Sequence, residues 1–458
     1  MAGQPLNPRL LDRLAHLGVA VGTAAITPPT PPVPDGPTVP GDPDGPYGPA
    51  AWVGPTGVAP PRSPGDPGED SPAVLPIESA VPGQVVENGH GRCYVSTVRR
   101  AADEIHAGER VAAALDACTA SLASLTNRPD LADLDLARTA FIDTETTGLH
   151  GGTGTYAFLI GVGRFVGATF EVRQFFMRHP GEERAQLAAV ADAVAGCGGL
   201  VTFNGRTFDV PLLSSRYTLH KLPVPLATDR HLDLLPPARR LWQRRLPSCA
   251  LTSLEHHVLG LERADDVPGW LIPYRYFTYQ RDGDARPLVG VFHHNALDIL
   301  TMVSLVARLA RAYRDPAAAL HHGRDWLSLA RIYAAAGDWE RVVAACADAL
   351  DRGLAPDDAD EALHQLAWAA KRRCDWPRAL AVWADLADAD PPRRLYPFEE
   401  LAKYWEHHAA PPDLAQALAY AENGRDLVAG GALRPRRGRR AALADLDHRI
   451  ARLRRRIG

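Results

Sequence analysis

The sequence predicts two folded parts in series: an α/β domain built on a mixed sheet flanked by helices, and an all-α region of helical repeats. Three observations carry this. Short apolar strands at 139–143, 157–164 and 169–176 follow one another and give way to alternating helices and strands. After about residue 320 every periodic segment has helical spacing. Within that stretch Ala336-Gly337-Asp338-Trp339-Glu340-Arg341-Val342-Val343 recurs 37 residues later as Arg373-Cys374-Asp375-Trp376-Pro377-Arg378-Ala379-Leu380.

Taken in order, the chain opens with a leucine stripe (Leu10, Leu11, Leu14, Leu17) that fits a short helical segment over 1–26. The apolar run 17–26 is too short to span a bilayer, and Asp12 and Arg13 flank it wrongly for a secretory signal. Residues 27–76 hold 17 prolines and eight glycines, so 27–82 reads as a disordered linker with too little apolar content to offset ordering entropy. A lead-in hairpin and helix follow over 83–137. The hairpin pairs Val85-Val86 with Tyr94-Val95-Ser96 around Asn88-Gly89-His90-Gly91, and the helix covers 108–125. The α/β domain takes 138–316, with a helix over 182–195, a buried strand over 200–203, a helix from Pro211, a strand over 231–235 and a long helix from His294 towards Arg314. Helical repeats occupy 320–430 and an Arg-rich helix closes the chain over 431–458.

Lys+Arg 50 against Asp+Glu 54 leaves a net charge of −4, so no global basic field advertises a nucleic-acid or membrane partner. Any basic surface is local. Six scattered cysteines show no zinc-ligand spacing, which suits reduced thiols and a cytoplasmic location, with no membrane association expected.

Chemistry concentrates in three acidic motifs. In Phe141-Ile142-Asp143-Thr144-Glu145, Asp143 and Glu145 stand two apart on a strand and share a face. Two neighbouring anions there are costly without cations between them. Asp209 ends Asn204-Gly205-Arg206-Thr207-Phe208-Asp209 and opens a helix, where it could also serve as an N-cap. Asp298 closes His293-His294-Asn295-Ala296-Leu297-Asp298 and is the lone acid near the apolar face of its helix.

Together, D-x-E, N-x-x-x-F-D and H-x-x-x-D, in that order, resemble the motifs of the DEDD exonucleases of the ribonuclease-H-like superfamily. The run from Asp143 through Thr146-Thr147-Gly148 to Thr153-Gly154-Thr155-Tyr156, and the later Asp265-Asp266-Val267-Pro268-Gly269, resemble its bacterial YprB-type branch. The likeness covers roughly residues 80–313. It implies a ribonuclease-H-like sheet, a metal-dependent 3′-to-5′ exonuclease acting on single-stranded DNA or RNA ends, and Asp143, Glu145, Asp209 and Asp298 as ligands to two Mg²⁺ or Mn²⁺ ions about 4 Å apart. A catalytically silent binding scaffold is the alternative, and a structure-selective endonuclease a third reading.

A general base is expected beside the acids. His294 stands four before Asp298, where the tyrosine-type motif has tyrosine; His293 stands five before, as in the histidine-type motif. Helical geometry favours His294, because i and i+4 share a face. A helix beginning only after Asn295 would instead free His293 to fold in. Asp233 is read as an accessory or capping acid, and Asn204 as orienting its motif or touching a substrate sugar. Thr146 is a further candidate substrate contact, and the 153–155 loop is either a substrate contact or a simple turn.

Arg239, Arg240, Arg244 and Arg245 interleave with Trp242, a composition suited to a single-strand channel or to a helix face with one buried Trp. Ten arginines between 434 and 456 form a second basic patch, for nucleic acid or for solubility. The repeated helix pairs, with a weaker third copy at 411–418, resemble tetratricopeptide repeats and imply a protein partner.

Overall fold

The computed structural model describes residues 74–148, 154–264, 266–389, 392–433, 435 and 437–458. The leucine stripe, the linker as far as 73, Thr153 and Asp265 lie outside the described residues. The linker's expected end does not hold. At 74–82 the chain forms α1 (Ile77–Ala80), with Ile77 and Val81 buried and the Tyr94 hydroxyl donating to the Val81 carbonyl at 2.5 Å. Apolar side chains that find a core override local proline content here.

The α/β domain is built on one mixed seven-stranded sheet. Its strands are β1 (Gln84–Asn88), β2 (Gly91–Ala101), β5 (Thr139–Thr146), β6 (Ala157–Val166), β7 (Thr169–Phe176), β8 (Gly199–Thr202) and β9 (His231–Asp233), in the order β1-β2-β7-β6-β5-β8-β9. Pairing is antiparallel from β1 to β5 and parallel from β5 through β8 to β9. The hairpin expected as a lead-in is thus the sheet's edge, with β2 paired along β7 from Tyr94↔Phe176 to Ala101↔Thr169. The helix expected over 108–125 is shorter. A two-stranded ribbon, β3 (Ile105–His106) with β4 (Glu109–Arg110), and a 3-10 turn precede α2 (Thr119–Thr126). Gly108, at φ 73°, supplies the turn conformation that ends any helical reading there.

Helices cover both faces. On one lie α3 (Glu183–Val194) and α4 (Asp209–Leu219), enclosing Ile142, Ile160, Leu212 and Leu213. They are locked together by the buried Arg216–Glu183 ion pair at 2.5 Å. α5 (Leu235–Trp242) follows β9, and α6 (Ile272–Asp282) precedes α7 (Leu288–Arg314), which crosses the opposite face of the sheet. Gly161 and Gly163 on β6 let α7 approach, since a Cβ at either would collide with Ile299, and at Gly161 with Asn295 also. α7 is long and apolar enough to cross a bilayer by length and composition, and 67% of that window is buried inside the protein.

Among the described residues a single helical turn at Pro316–Ala319 and then seven longer helices follow: α8 (Gly323–Ala335), α9 (Trp339–Asp351), α10 (Pro356–Arg372), α11 (Trp376–Ala387), α12 (Tyr396–His407), α13 (Leu414–Ala429) and α14 (Arg439–Ile457). The repeated aspartate has one local role in all three copies. Asp338, Asp375 and Asp413 cap α9, α11 and α13, accepting from the backbone N–H of Arg341, Arg378 and Gln416. One apolar core runs without a break from Phe141 and Ile299 at the sheet to Trp326, Leu366 and Trp383 in the helices.

Candidate active site

β5 ends in the D-x-E motif, and everything around it fixes side-chain direction. Strand alternation sends Asp143 and Glu145 to the face crossed by α7, and a bulge between Glu145 and Thr146 ends the regular ladder. Asp143 Oδ2 accepts from Asn295 Nδ2 at 2.8 Å. The Asn295 amide is itself oriented from the other side, its Oδ1 accepting from Gln174 Nε2 at 2.9 Å while the same Gln174 nitrogen donates to the Phe292 carbonyl at 2.7 Å. β7, α7 and β5 are therefore joined by one hydrogen-bonded relay that ends on the first acid.

Thr144 points to the opposite face and donates to Asp209 Oδ1 at 2.5 Å. Asp209 is the first residue of α4, one past the N-cap Phe208, so the N-cap reading gives way to a contact with β5. Asp233, at the end of β9, accepts from the backbone N–H groups of Asn204, Arg206 and Leu235. It holds the turn that delivers Asp209. Asn204 adopts φ 63° within that turn and accepts from the Thr207 hydroxyl, and Thr146 donates to the Gly148 carbonyl at 2.8 Å. Thr155 is buried just beyond.

α7 begins at Leu288, so both histidines lie inside the helix and the i, i+4 relation applies. His294 Nε2 stands 3.8 Å from Asp298 Oδ2. Its Nδ1 faces both oxygens of Asp266, at 2.8 and 2.9 Å. His293 is on another side of the helix, lining a 310 Å³ cavity with Ala80, Val81 and Phe292.

Two residues that sequence reasoning passed over complete the arrangement. Arg263 donates to Asp298 Oδ1 at 2.5 Å, to Glu255 at 2.5 and 2.8 Å and to Asp266 at 3.0 Å, with its side chain only 6% exposed. Glu255, fully buried in a π-helical turn, also accepts from Thr301 on α7. The pattern Arg263-x-x-Asp266 was visible in the sequence, but nothing in its spacing ties it to a helix thirty residues away.

The acids burden one another. Burial, with the charges of Asp298 and Asp209, pushes the Asp143 carboxyl well above the usual range. Burial and then Asp143, Asp298, Asp209 and Asp266 do the same to Glu145. Burial lifts Asp209 to about 6 against the opposing Thr144 hydrogen bond. Asp266 goes the other way: burial would raise it, but His294 and Arg263 outweigh that and hold it low.

Among the described residues no three His, Cys, Asp or Glu side chains stand as a formed metal-binding cluster. The donor set nonetheless fits a hard divalent cation. Asp143, Asp209 and Asp298 each have one oxygen fixed by a protein donor, and Glu145 Oε1 is buried with no hydrogen-bond partner among the described residues. An orphaned buried oxygen beside three like charges is what oxygen coordination by Mg²⁺ or Mn²⁺ would satisfy.

The arginine-tryptophan patch is not a channel. Trp242 is 1% exposed and part of the core, Arg240 donates to the Leu125 carbonyl at 2.6 Å, and Arg244 and Arg245 pair with Asp358, Glu361 and Asp325 of the helical region. Carboxylates brought from 80 to 117 residues downstream pair with Arg244 and Arg245, which local sequence could not reveal. Four arginines of α14 are similarly engaged: Arg449, Arg452 and Arg456 converge on Glu406, whose side chain is wholly buried, and Arg454 reaches Glu422.

The sequence profile of the RNase H superfamily matches residues 140–310. The protein described as uncharacterized protein YprB of Bacillus subtilis (strain 168) is 31% identical over 284 residues, which is 62% of this chain and 68% of that protein.

Proposed function

The chain belongs to the YprB family of RNase H superfamily proteins, and on that premise we propose that it is a metal-dependent 3′-to-5′ exonuclease acting on single-stranded nucleic-acid ends. The observation that carries the reading is the convergence of Asp143, Glu145, Asp209 and Asp298, from a strand and two helices, beside a histidine whose far nitrogen is held by Asp266.

In this reading the four acids would hold two Mg²⁺ or Mn²⁺ ions, whose charge would lower the pKa of the attacking water and offset that of the phosphate. His294 is the general base. With Nδ1–H donated to Asp266, the lone pair lies on Nε2, on the side of Asp298, and that nitrogen takes the water proton. Asp266 fixes the tautomer and stabilises the imidazolium that results. Arg263 offsets the negative charge and keeps Asp298 and Asp266 in register with each other. Gln174 and Asn295 orient Asp143.

The test is degradation of 3′-labelled and 5′-labelled single-stranded DNA and RNA with Mg²⁺, Mn²⁺ or EDTA, comparing wild type with Asp143→Ala. Metal-dependent and Asp143-dependent shortening from the 3′ end supports the proposal and identifies the sugar. Internal cuts point to an endonuclease. Binding without cleavage by folded wild type points to a silent scaffold.

A further inference from the structure

Immediately beyond Asp266 the chain presents a feature that the catalytic arrangement does not use. Trp270, Tyr274 and Phe277, spaced four and three apart along the turn at Gly269–Leu271 and α6, are 72%, 63% and 51% exposed. Three large aromatic side chains on one helical face, all open to solvent, are uncommon on a protein surface without a partner.

The helix cannot roll to hide them. Its other face is fixed by Ile272 and by Tyr276, which stacks on Phe158 at 4.1 Å and 6° and donates its hydroxyl to the Met177 carbonyl at 3.0 Å. Phe158 is on β6, next to the strand that carries Asp143 and Glu145. The stripe is also tied to the site along the chain. Trp270 is four positions after Asp266, so their Cα atoms are no more than about 14 Å apart.

We infer that the Trp270–Tyr274–Phe277 face is a stacking platform for the bases of the single strand whose end lies in the site. This rests on the nuclease reading. Flat aromatic faces stack on any base, which gives affinity without sequence preference. Charge agrees: the ionised residues of α6 are Arg275, Arg281 and Asp282, and Arg281 already holds Asp282 at 2.6 Å, leaving the face free of unpaired acid. An aliphatic stripe would suit another protein equally well; an aromatic one, continuous with a carboxylate site and flanked by arginine, suits unstacked nucleobases.

The experiment compares wild type, the double variant Trp270→Ala/Tyr274→Ala and the conservative Trp270→Phe. Affinity for a labelled single-stranded oligonucleotide is measured by anisotropy in EDTA, and Mn²⁺-dependent cleavage is measured on a dinucleotide too short to reach the stripe. The expected result is dinucleotide cleavage at the wild-type rate by all three proteins, oligonucleotide binding weakened about ten- to a hundredfold in the double variant, and near wild-type binding by Trp270→Phe. Equal oligonucleotide affinity in wild type and double variant overturns the platform while leaving the nuclease reading intact. No oligonucleotide binding by wild type also overturns it, and dinucleotide cleavage then reports separately on the nuclease. Loss of a wild-type dimer in the double variant, with oligonucleotide affinity unchanged, makes the face a contact between copies and overturns it too. If wild type binds the oligonucleotide but cuts neither substrate, the nuclease reading falls and the affinity ratio alone decides the platform.

Discussion

His294 and Asp266 form a two-point contact, the imidazole Nδ1 lying 2.8 and 2.9 Å from the two carboxylate oxygens. A carboxylate in that place selects one tautomer and leaves Nε2 as the basic nitrogen.

The contact separates His294 from its neighbour. His294→Ala should lower kcat by about 10²- to 10⁴-fold, the usual worth of a general base, with little change in KM. Asp266→Asn should also lower kcat, because the amide can donate to Nδ1 and turn the tautomer round. His293→Ala, on another side of α7, should leave kcat within about twofold, since none of the four acids lines the cavity it faces. Steady-state cleavage of a labelled oligonucleotide in Mn²⁺ decides the matter. Loss of activity in His293→Ala with retention in His294→Ala would reverse the assignment.

A second expectation concerns stability without substrate. Burial and the charges of Asp298 and Asp209 push Asp143 up, burial and the charge of Asp143 push Glu145 up, and Glu145 Oε1 has no donor among the described residues. In the metal-free protein this cluster opposes folding, and a bound cation relieves it. Mn²⁺ should therefore raise the melting temperature, by the equivalent of about 2.7 kcal/mol at a hundredfold excess over Kd, and EDTA should reverse the shift. Glu145→Gln and Asp143→Asn should melt at or above the metal-free wild type and lose most of the Mn²⁺ response. Calorimetry with and without metal reads both effects, and an undiminished response in the two variants would move the ion elsewhere.

Much of this was legible in the sequence because it is local. Two acids two apart on an apolar strand, an Asp opening a helix and a histidine one turn before an Asp are each written in a few consecutive residues, and the three-strand meander is written in apolar runs broken by Gly167. What stayed hidden is partner choice over distance. Arg263 carries no local sign that Glu255 and Asp298 close on it, and Trp242 stands open between a stacking residue and a buried one until the fold places it in the core. The hairpin at 84–101 reads as a lead-in because the pairing of β2 with β7 depends on register between residues 68 to 82 apart, not on its own composition.

The same distance effect makes the arginine patch a stability element. Asp325 is 2% exposed, and burial raises its carboxyl despite the Arg245 partner at 2.9 Å. Removing the guanidinium leaves that carboxyl without its counter-ion. Arg245→Ala should cost about 3–5 kcal/mol of stability, and Trp242→Ala a similar amount through the cavity it opens. Neither should weaken oligonucleotide binding selectively once folded protein is compared at low temperature. Arg244→Ala, on a more exposed pair, should cost less. Chemical denaturation together with anisotropy tests this; a binding loss without a stability loss in Arg244→Ala would restore the channel reading.

The last expectation is a pH dependence. His106, on β3, is held down to about 4, by burial first and then by the charges of Arg100 and Arg263, against a small opposing pull from Glu104. Its Nε2 is buried without a hydrogen-bond partner among the described residues. In the unfolded chain the same imidazole titrates near 6.5, so between about 6.5 and 4 the unfolded state binds the extra proton. Its contribution is therefore complete above about pH 6.5 and is lost as pH falls through that window. Because the ring is only partly enclosed, the loss should be about 2 kcal/mol, short of the full shift. His106→Gln removes the titrating group and keeps a polar tip of similar reach. The wild-type melting temperature should fall between pH 7 and pH 5 by several degrees more than that of the variant, whereas parallel curves would mean that His106 takes up its proton in the folded protein as readily as in the unfolded chain.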